Sequence, residues 1–100
     1  MIRDTRTERY LEVGDRLVAA GKFKRAAEVY SRYADACQAQ TLLHRARRTV
    51  ESDPHSALRD LAIVERLVGP SGEGRRLVAE AYSRLGHPEI AARFFAAASK

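Results

Sequence analysis

The sequence contains one cysteine, Cys37, no tryptophan and no asparagine, and only six glycines and three prolines in 100 residues. A single cysteine cannot form a disulfide within the chain, so an oxidising compartment is not implied. Because glycine and proline are so rare, there is no room for a long linker. Runs that alternate Val, Ile or Thr with polar residues are also missing, which argues against strands. We therefore expect one small helical domain over residues 1–100.

Long apolar runs are absent as well. A membrane-spanning helix needs about 18 consecutive apolar residues, and no stretch of the sequence approaches that length. Residues 1–12 are charged and lack the apolar segment of a signal peptide. Apolar residues make up 45% of the chain and charged residues 31%, which is typical of a folded protein rather than a disordered one. We expect a cytoplasmic protein that does not contact a membrane.

Positive charge is supplied almost entirely by arginine, with 15 Arg against 3 Lys and a net charge of +5. A basic protein can bind nucleic acid, and Arg45, Arg47 and Arg48 form the densest basic cluster. No aromatic residue lies between these arginines to stack on bases. Glu51 follows Arg47 by four residues, a spacing that allows an ion pair on one helix. We predict a solvated helix face, with a basic nucleic-acid-binding domain as the alternative function.

Helix-ending and helix-starting residues divide the chain into short segments. Gly21 and Gly86 fit the left-handed residue that closes a helix. Asp53 and Ser71 fit N-caps, and Pro88 fits the first residue of a helix. Together with apolar residues at helical spacing, they predict six helices in three antiparallel pairs. The pairs cover residues 6–37, 41–68 and 72–99.

An internal repeat is the most specific pattern in the sequence. Its landmarks in the first pair are Tyr10, Val13, Gly14, Leu17, Gly21, Ala26, Tyr30 and Tyr33. The residues 65 positions later are Arg75, Val78, Ala79, Tyr82, Gly86, Ala91, Phe95 and Ala98. Every position except Tyr10/Arg75 keeps a compatible apolar, small or glycine residue. We expect the small residues to let two helices approach closely while the large ones fill the space beside them.

This pattern resembles the tetratricopeptide repeat, a helix–turn–helix unit of about 34 residues. The middle unit is degenerate: Ala57, Leu61 and Val64 match its second helix, whereas Asp53–Pro54 replaces the usual glycine turn. The resemblance implies an all-α fold of three antiparallel helix pairs, stacked as a short α-solenoid. The alternative is an irregular six-helix bundle.

The resemblance also implies that a partner protein or peptide segment binds a concave groove lined by the first helix of each pair. The groove positions are Glu8, Leu11, Glu12, Asp15, Leu43, Arg47, Arg76, Glu80 and Arg84. Because these positions include both acidic and basic residues, we expect a partner segment that also carries both charges. Members that bind chaperone tails use Asn and Lys side chains, and this sequence has no Asn. Small tetratricopeptide-like chaperones of bacterial secretion systems are similar in size.

The last predicted helix supplies a second candidate surface. If Phe95 is inside the last pair, Phe94 and the neighbouring alanines face outward, and exposed apolar surface of this kind marks interfaces. The hypothesis is that this helix docks on a partner or on a second copy of the chain. The alternative is that Phe94 packs beneath its own pair.

Catalytic patterns are missing from the sequence. No cysteine or second histidine lies at metal-ligand spacing around His44, His55 or His87. Cys37 has no base partner in the sequence and is expected to be a packing residue. We therefore expect a protein that is not an enzyme and uses no cofactor and no metal.

Overall fold

The computed structural model describes residues 5–98, and this part of the chain is all-α, with no strand. Five helices follow one another in sequence. They are α1 (Thr5–Ala19), α2 (Phe23–Thr49), α3 (Pro54–Val68), α4 (Gly72–Arg84) and α5 (Pro88–Ala98). Within the described residues, none of these helices combines the length and the apolar composition that crossing a bilayer would require.

Helix α2 corrects the predicted number of helices. The apolar spacing predicts a helix break between residues 37 and 41, but α2 is one helix of 27 residues. The apolar spacing changes register there, because the half-buried Cys37 is followed only two residues later by the buried Ala39. No glycine or proline accompanies this change, and the intervening residues are compatible with a helix. The backbone therefore continues while the apolar stripe moves to another face, so six helices become five.

The helix starts in the second half of the chain follow the predicted chemistry. The Asp53 carboxylate accepts a hydrogen bond from the Ser56 backbone N–H at 3.2 Å, and Pro54 is the first residue of α3. The Ser71 hydroxyl oxygen accepts one from the Gly74 N–H at 3.0 Å. Both contacts satisfy backbone donors that a helix start leaves without an intrahelical acceptor.

The turns at Gly21 and Gly86 have the same geometry, although they are 65 residues apart. Both glycines have left-handed φ angles, 75° and 84°. The Lys22 N–H donates to the Leu17 carbonyl at 2.8 Å, and the His87 N–H donates to the Tyr82 carbonyl at 2.9 Å. This six-residue closure is the Schellman motif, which favours glycine because a Cβ is strained at positive φ. The left-handed glycines predicted at the ends of these two helices are thus confirmed.

The contacts divide the chain into two compact units, residues 1–38 and 39–100, and the boundary lies within α2. In unit 1, Gly14 is buried under the ring of Tyr30, and a Cβ added to Gly14 would overlap that ring. The Tyr30 hydroxyl donates a hydrogen bond of 2.5 Å to the Asp15 carboxylate. The expected close approach at Gly14, with Tyr30 as the large residue beside it, is confirmed.

Unit 2 contains nearly all of the apolar core. Among the described residues, Ala26 is the only buried apolar residue of unit 1. In unit 2 the second half of α2, the residue that follows it, α3 and α4 form one cluster, consisting of Ala46, Val50, Ala57, Leu61, Leu77 and Ala81. A second cluster consists of Ala39, Leu42 and Val64. Helix α4 also packs along α5, where Ala91 is buried.

The predicted rotation of the last helix is wrong. Phe95 was placed inside the pair and Phe94 outside, but Phe94 is half-buried whereas 45% of Phe95 is exposed. The Phe94 ring stacks on Tyr82 of α4, with 5.8 Å between ring centroids and 16° between ring planes. The two residues are adjacent in a helix, so a modest rotation of α5 exchanges their environments. The alternative, that Phe94 packs beneath its own pair, is the arrangement found.

Gly14→Ala should lower the free energy of unfolding by about 1 kcal/mol. Alanine gains about 1 kcal/mol in helix propensity, but overpacking against the Tyr30 ring costs about 1–3 kcal/mol. Urea denaturation followed by circular dichroism measures the difference. Gly72→Ala is the control, because its Cβ meets only the Ala98 carbonyl oxygen at an ordinary 3.5 Å. A Gly14→Ala protein as stable as the wild type would contradict the contact.

Phe94→Ala should destabilise the protein more than Phe95→Ala does. Loss of the stacked, half-buried ring is expected to cost about 3 kcal/mol, and loss of the more exposed ring about 1.5 kcal/mol. Thermal and urea denaturation of the two variants give the comparison. A larger loss of stability for Phe95→Ala than for Phe94→Ala would contradict this arrangement and support the rotation predicted from the sequence.

Candidate interaction surface

A partly buried ion pair joins the second half of α2 to α3. Arg45 donates two hydrogen bonds of 2.7 Å to Asp60, from Nε to Oδ2 and from Nη2 to Oδ1. The Asp60 side chain is 6% exposed and the Arg45 side chain 60%. Asp60 is the one charged residue that is buried in the described part of the chain. The carboxylate therefore depends on Arg45 for its partner, whereas the guanidinium still contacts water.

The titration of this pair follows from the same geometry. The hydrogen bonds from Arg45 lower the pKa of Asp60 below its ordinary value of 3.8, against the opposing effect of burial. The charges of Arg45 and Arg59 act in the same direction as the hydrogen bonds. The bonded carboxylate correspondingly raises the pKa of Arg45. Both groups are held in their charged forms.

Two further ion pairs connect α4 to the end of α2 and to the residues that follow it. Arg47 binds Glu73, and Arg84 binds Glu51 with 3.1 Å between nitrogen and oxygen. The expected i,i+4 pair between Arg47 and Glu51 is therefore wrong, because each residue has a partner on α4 instead. Arg47 was also a member of the basic cluster. Its charge, like that of Arg45, is directed at a carboxylate of the same chain.

The groove positions of unit 1 lie on α1. Leu11 is half-buried, and Glu12 is exposed. Asp15 accepts the Tyr30 hydroxyl, a contact that raises the pKa of Tyr30 together with burial and the Asp15 charge. Glu8 is half-buried, and its charge contributes to the raised pKa of Tyr33, whose main cause is a hydrogen bond with Cys37. Glu8 and Asp15 thus act within their own helix pair.

The remaining groove positions belong to unit 2. Leu43 is half-buried and packs against the core clusters, so it is a structural residue here. Arg76 is exposed and Glu80 half-buried on α4. Arg47 and Arg84 have the internal partners described above. The groove as one continuous surface stays a prediction.

A cleft lies between α3, α4 and α5 beside the α3–α4 connection. It is a shallow opening at the surface, and the roughly 280 Å³ of empty space within it includes open solvent. The lining residues are Leu61, Val64, Glu65, Gly69, Pro70, Ser71, Gly74, Arg75, Val78 and Phe94. Five apolar side chains line it, Pro70 among them, and Glu65 and Arg75 bring opposite charges. We call this feature the α3/α4/α5 cleft.

Phe94 lies at the α3/α4/α5 cleft, whereas the sequence predicts that it faces outward from the last helix. Phe94 lines the cleft from α5 while its ring stacks on Tyr82, whose other neighbour is the His87 ring at 6.4 Å between centroids. The residue predicted to contact a partner is thus at an open apolar site, although not as an outward-facing residue of α5.

The histidines and the cysteine are dispersed. His44, His55 and His87 are exposed, and Cys37 is half-buried beside Tyr33. Within residues 5–98, no three His, Cys, Asp or Glu side chains gather in a way that could hold a metal ion. His87 precedes α5, and its carbonyl accepts the Ala91 N–H at 3.0 Å.

Sequence reasoning missed Asp60, Glu65 and Arg75. A signal existed for Asp60, because it lies between Ala57 and Val64 at the spacing of the buried α3 stripe, where a charged residue needs a partner. Arg75 also departs from the apolar pattern, because it is the position at which the 65-residue repeat fails, whereas Glu65 carries no such signal. Their shared location depends on how α3 and α4 pack across the connection.

Comparisons of the chain with protein-family models, with curated proteins and with solved structures found no match. The residues of the chain itself are therefore the basis for a functional assignment.

Arg45→Gln should reverse the contribution of Asp60 to the pH dependence of stability. In the wild type the folded pKa is lowered, so this contribution is present above 3.8 and is lost as the pH falls through the folded value. Without Arg45, burial dominates and raises the folded pKa. The neutral carboxyl is then favoured, and stability is lost as the pH rises above 3.8.

Urea denaturation between about pH 3 and pH 7 tests this sign. The stability difference between wild type and Arg45→Gln should widen as the pH rises. The exposed Arg48→Gln is a control on the same helix, and its difference from wild type should stay constant. If the stability difference between wild type and Arg45→Gln does not change with pH, the pKa of Asp60 in the folded protein does not depend on Arg45.

Proposed function

We propose that the chain is a non-enzymatic protein-interaction scaffold, either an adaptor or a chaperone-like subunit that acts in the cytoplasm. The observation that carries this proposal is the α3/α4/α5 cleft, where Leu61, Val64, Val78 and Phe94 line an opening to solvent. Small-molecule pockets enclose most of the surface of their ligand. A shallow opening cannot do so, and it fits a side chain of a protein partner better.

The charge arrangement supports a protein partner over nucleic acid. Binding to nucleic acid relies on several cations that contact phosphates. Arg45, Arg47 and Arg84 already contact Asp60, Glu73 and Glu51. Recruiting these arginines to phosphates would leave three carboxylates without their cations, one of them buried. The densest basic cluster therefore contributes more to packing than to binding.

The architecture that we propose is a short tetratricopeptide-like α-solenoid, in which the continuous α2 supplies helices to the first two pairs. The matching closures at Gly21 and Gly86 support a duplicated helix pair. In this arrangement the partner segment would use the mixed-charge groove, where Arg76 and Glu80 offer side chains on α4, and the last helix around Phe94. A second copy of the chain is the other candidate for the last helix.

Affinity capture from a lysate of the source organism tests the function. Tagged wild-type protein should retain a defined protein after nuclease treatment, and that protein, once purified, should bind directly in calorimetry. Raising the salt from about 50 to 200 mM should weaken binding only severalfold, whereas six to ten phosphate contacts would weaken it about 10³–10⁵-fold. Capture that disappears with nuclease, or a steep salt dependence with purified RNA or DNA, would contradict the proposal.

A further inference from the structure

Arg75 at the α3/α4/α5 cleft differs from the other arginines at helix contacts, because it has no carboxylate partner in the described part of the chain. Arg45, Arg47 and Arg84 each have a carboxylate partner. Arg75 is half-buried at the cleft, yet within residues 5–98 no carboxylate lies at ion-pair distance from its guanidinium. An arginine that is partly removed from water and has no counter-ion gains most from a carboxylate supplied by a ligand.

Glu65 restricts what that ligand can be. It lines the same cleft and, like Arg75, has no ion-pair partner among the residues that the structure describes. A polyanion such as RNA would place phosphates near this carboxylate and be repelled. A ligand with one negative group for Arg75 and a positive group for Glu65 matches both charges.

The apolar lining sets the third requirement. Leu61 and Val64 lie buried beneath the cleft, and the half-buried Val78 and Phe94 offer the apolar surface that an aliphatic or aromatic side chain would cover. Covering this surface removes apolar area from water and contributes affinity, while the charges set the orientation.

We infer that the α3/α4/α5 cleft binds a partner-protein segment in which one large apolar side chain is flanked by an acidic and a basic residue. The apolar side chain covers Val78 and the Phe94 ring, the acidic residue pairs with Arg75 and the basic residue pairs with Glu65. This inference rests on the proposed protein-binding function. It locates binding in a cleft away from the groove positions Arg76 and Glu80.

The probe is a set of synthetic 12-residue peptides titrated into ¹⁵N-labelled protein and followed by NMR. The test peptide has a central Leu with Glu on one side and Lys on the other, in both orders. Comparison peptides have a central Ala, or the same Leu with two Glu or two Lys residues. We expect the mixed-charge Leu peptide to bind most tightly and to shift the amide signals of Gly69, Gly74, Val78 and Phe94.

Arg75→Glu and Arg32→Glu form a pair of variants that change the net charge equally. Arg32 is exposed on α2 and does not line the cleft. Arg75→Glu should weaken the mixed-charge peptide about fivefold, and Arg32→Glu should leave it unchanged. Arg75→Glu should in turn favour the peptide with two Lys residues, a gain that simple damage to the fold would not produce.

Equal weakening by the two variants, shifts confined to residues outside the cleft, or no binding by any peptide would overturn the inference. Binding that Arg76→Glu or Glu80→Lys weakens instead would assign recognition to the groove and leave the proposed protein-binding function standing. Concentration-dependent self-association that Arg75→Glu abolishes would identify a second copy as the occupant and would likewise overturn the inference. In contrast, if the affinity capture from lysate depends on nucleic acid, the proposed protein-binding function itself would be wrong.

Discussion

The buried carboxylate of Asp60 constrains how the helices of unit 2 can pack. It lies on the same stripe of α3 as Ala57, Leu61 and Val64, so α3 cannot bury its apolar residues without burying a charge. Arg45 is the residue that makes this burial tolerable, through two hydrogen bonds in a fixed geometry. The requirement sets the register between α2 and α3. Helix α4 then packs on α3, and α5 on α4, which forms the cleft at the α3–α4 connection.

The accuracy of the sequence-based predictions depends on how local the determining interaction is. The caps at Asp53 and Ser71 and the closures at Gly21 and Gly86 were predictable, because their hydrogen bonds join residues that are three to five positions apart. The continuity of α2 was not, because an apolar stripe that changes face resembles a helix break although the backbone needs none. The rotation of α5 depends on the stacking of Phe94 on Tyr82, a contact between helices that leaves no trace in spacing.

The candidate site was predictable only in part, for the same reason. The sequence identified charged and apolar positions on single helices, such as Arg76 and Phe94, but it could not show which carboxylate each arginine meets. Once the internal pairs of Arg45, Arg47 and Arg84 are known, most of the basic cluster is accounted for by packing. The cleft differs, because in the described part of the chain Arg75 and Glu65 have no ion-pair partner and lie beside an apolar surface.

The central claim is that unit 2, locked by the Asp60–Arg45 pair, is the stable body that presents the cleft. Native-state hydrogen exchange measures this directly, since it resolves the free energy of opening at each backbone amide. Amides in the core of unit 2, at Ala46, Leu61 and Leu77, should exchange most slowly, and amides of α1 should exchange through openings of lower free energy. Equal or greater protection in α1 would contradict the claim.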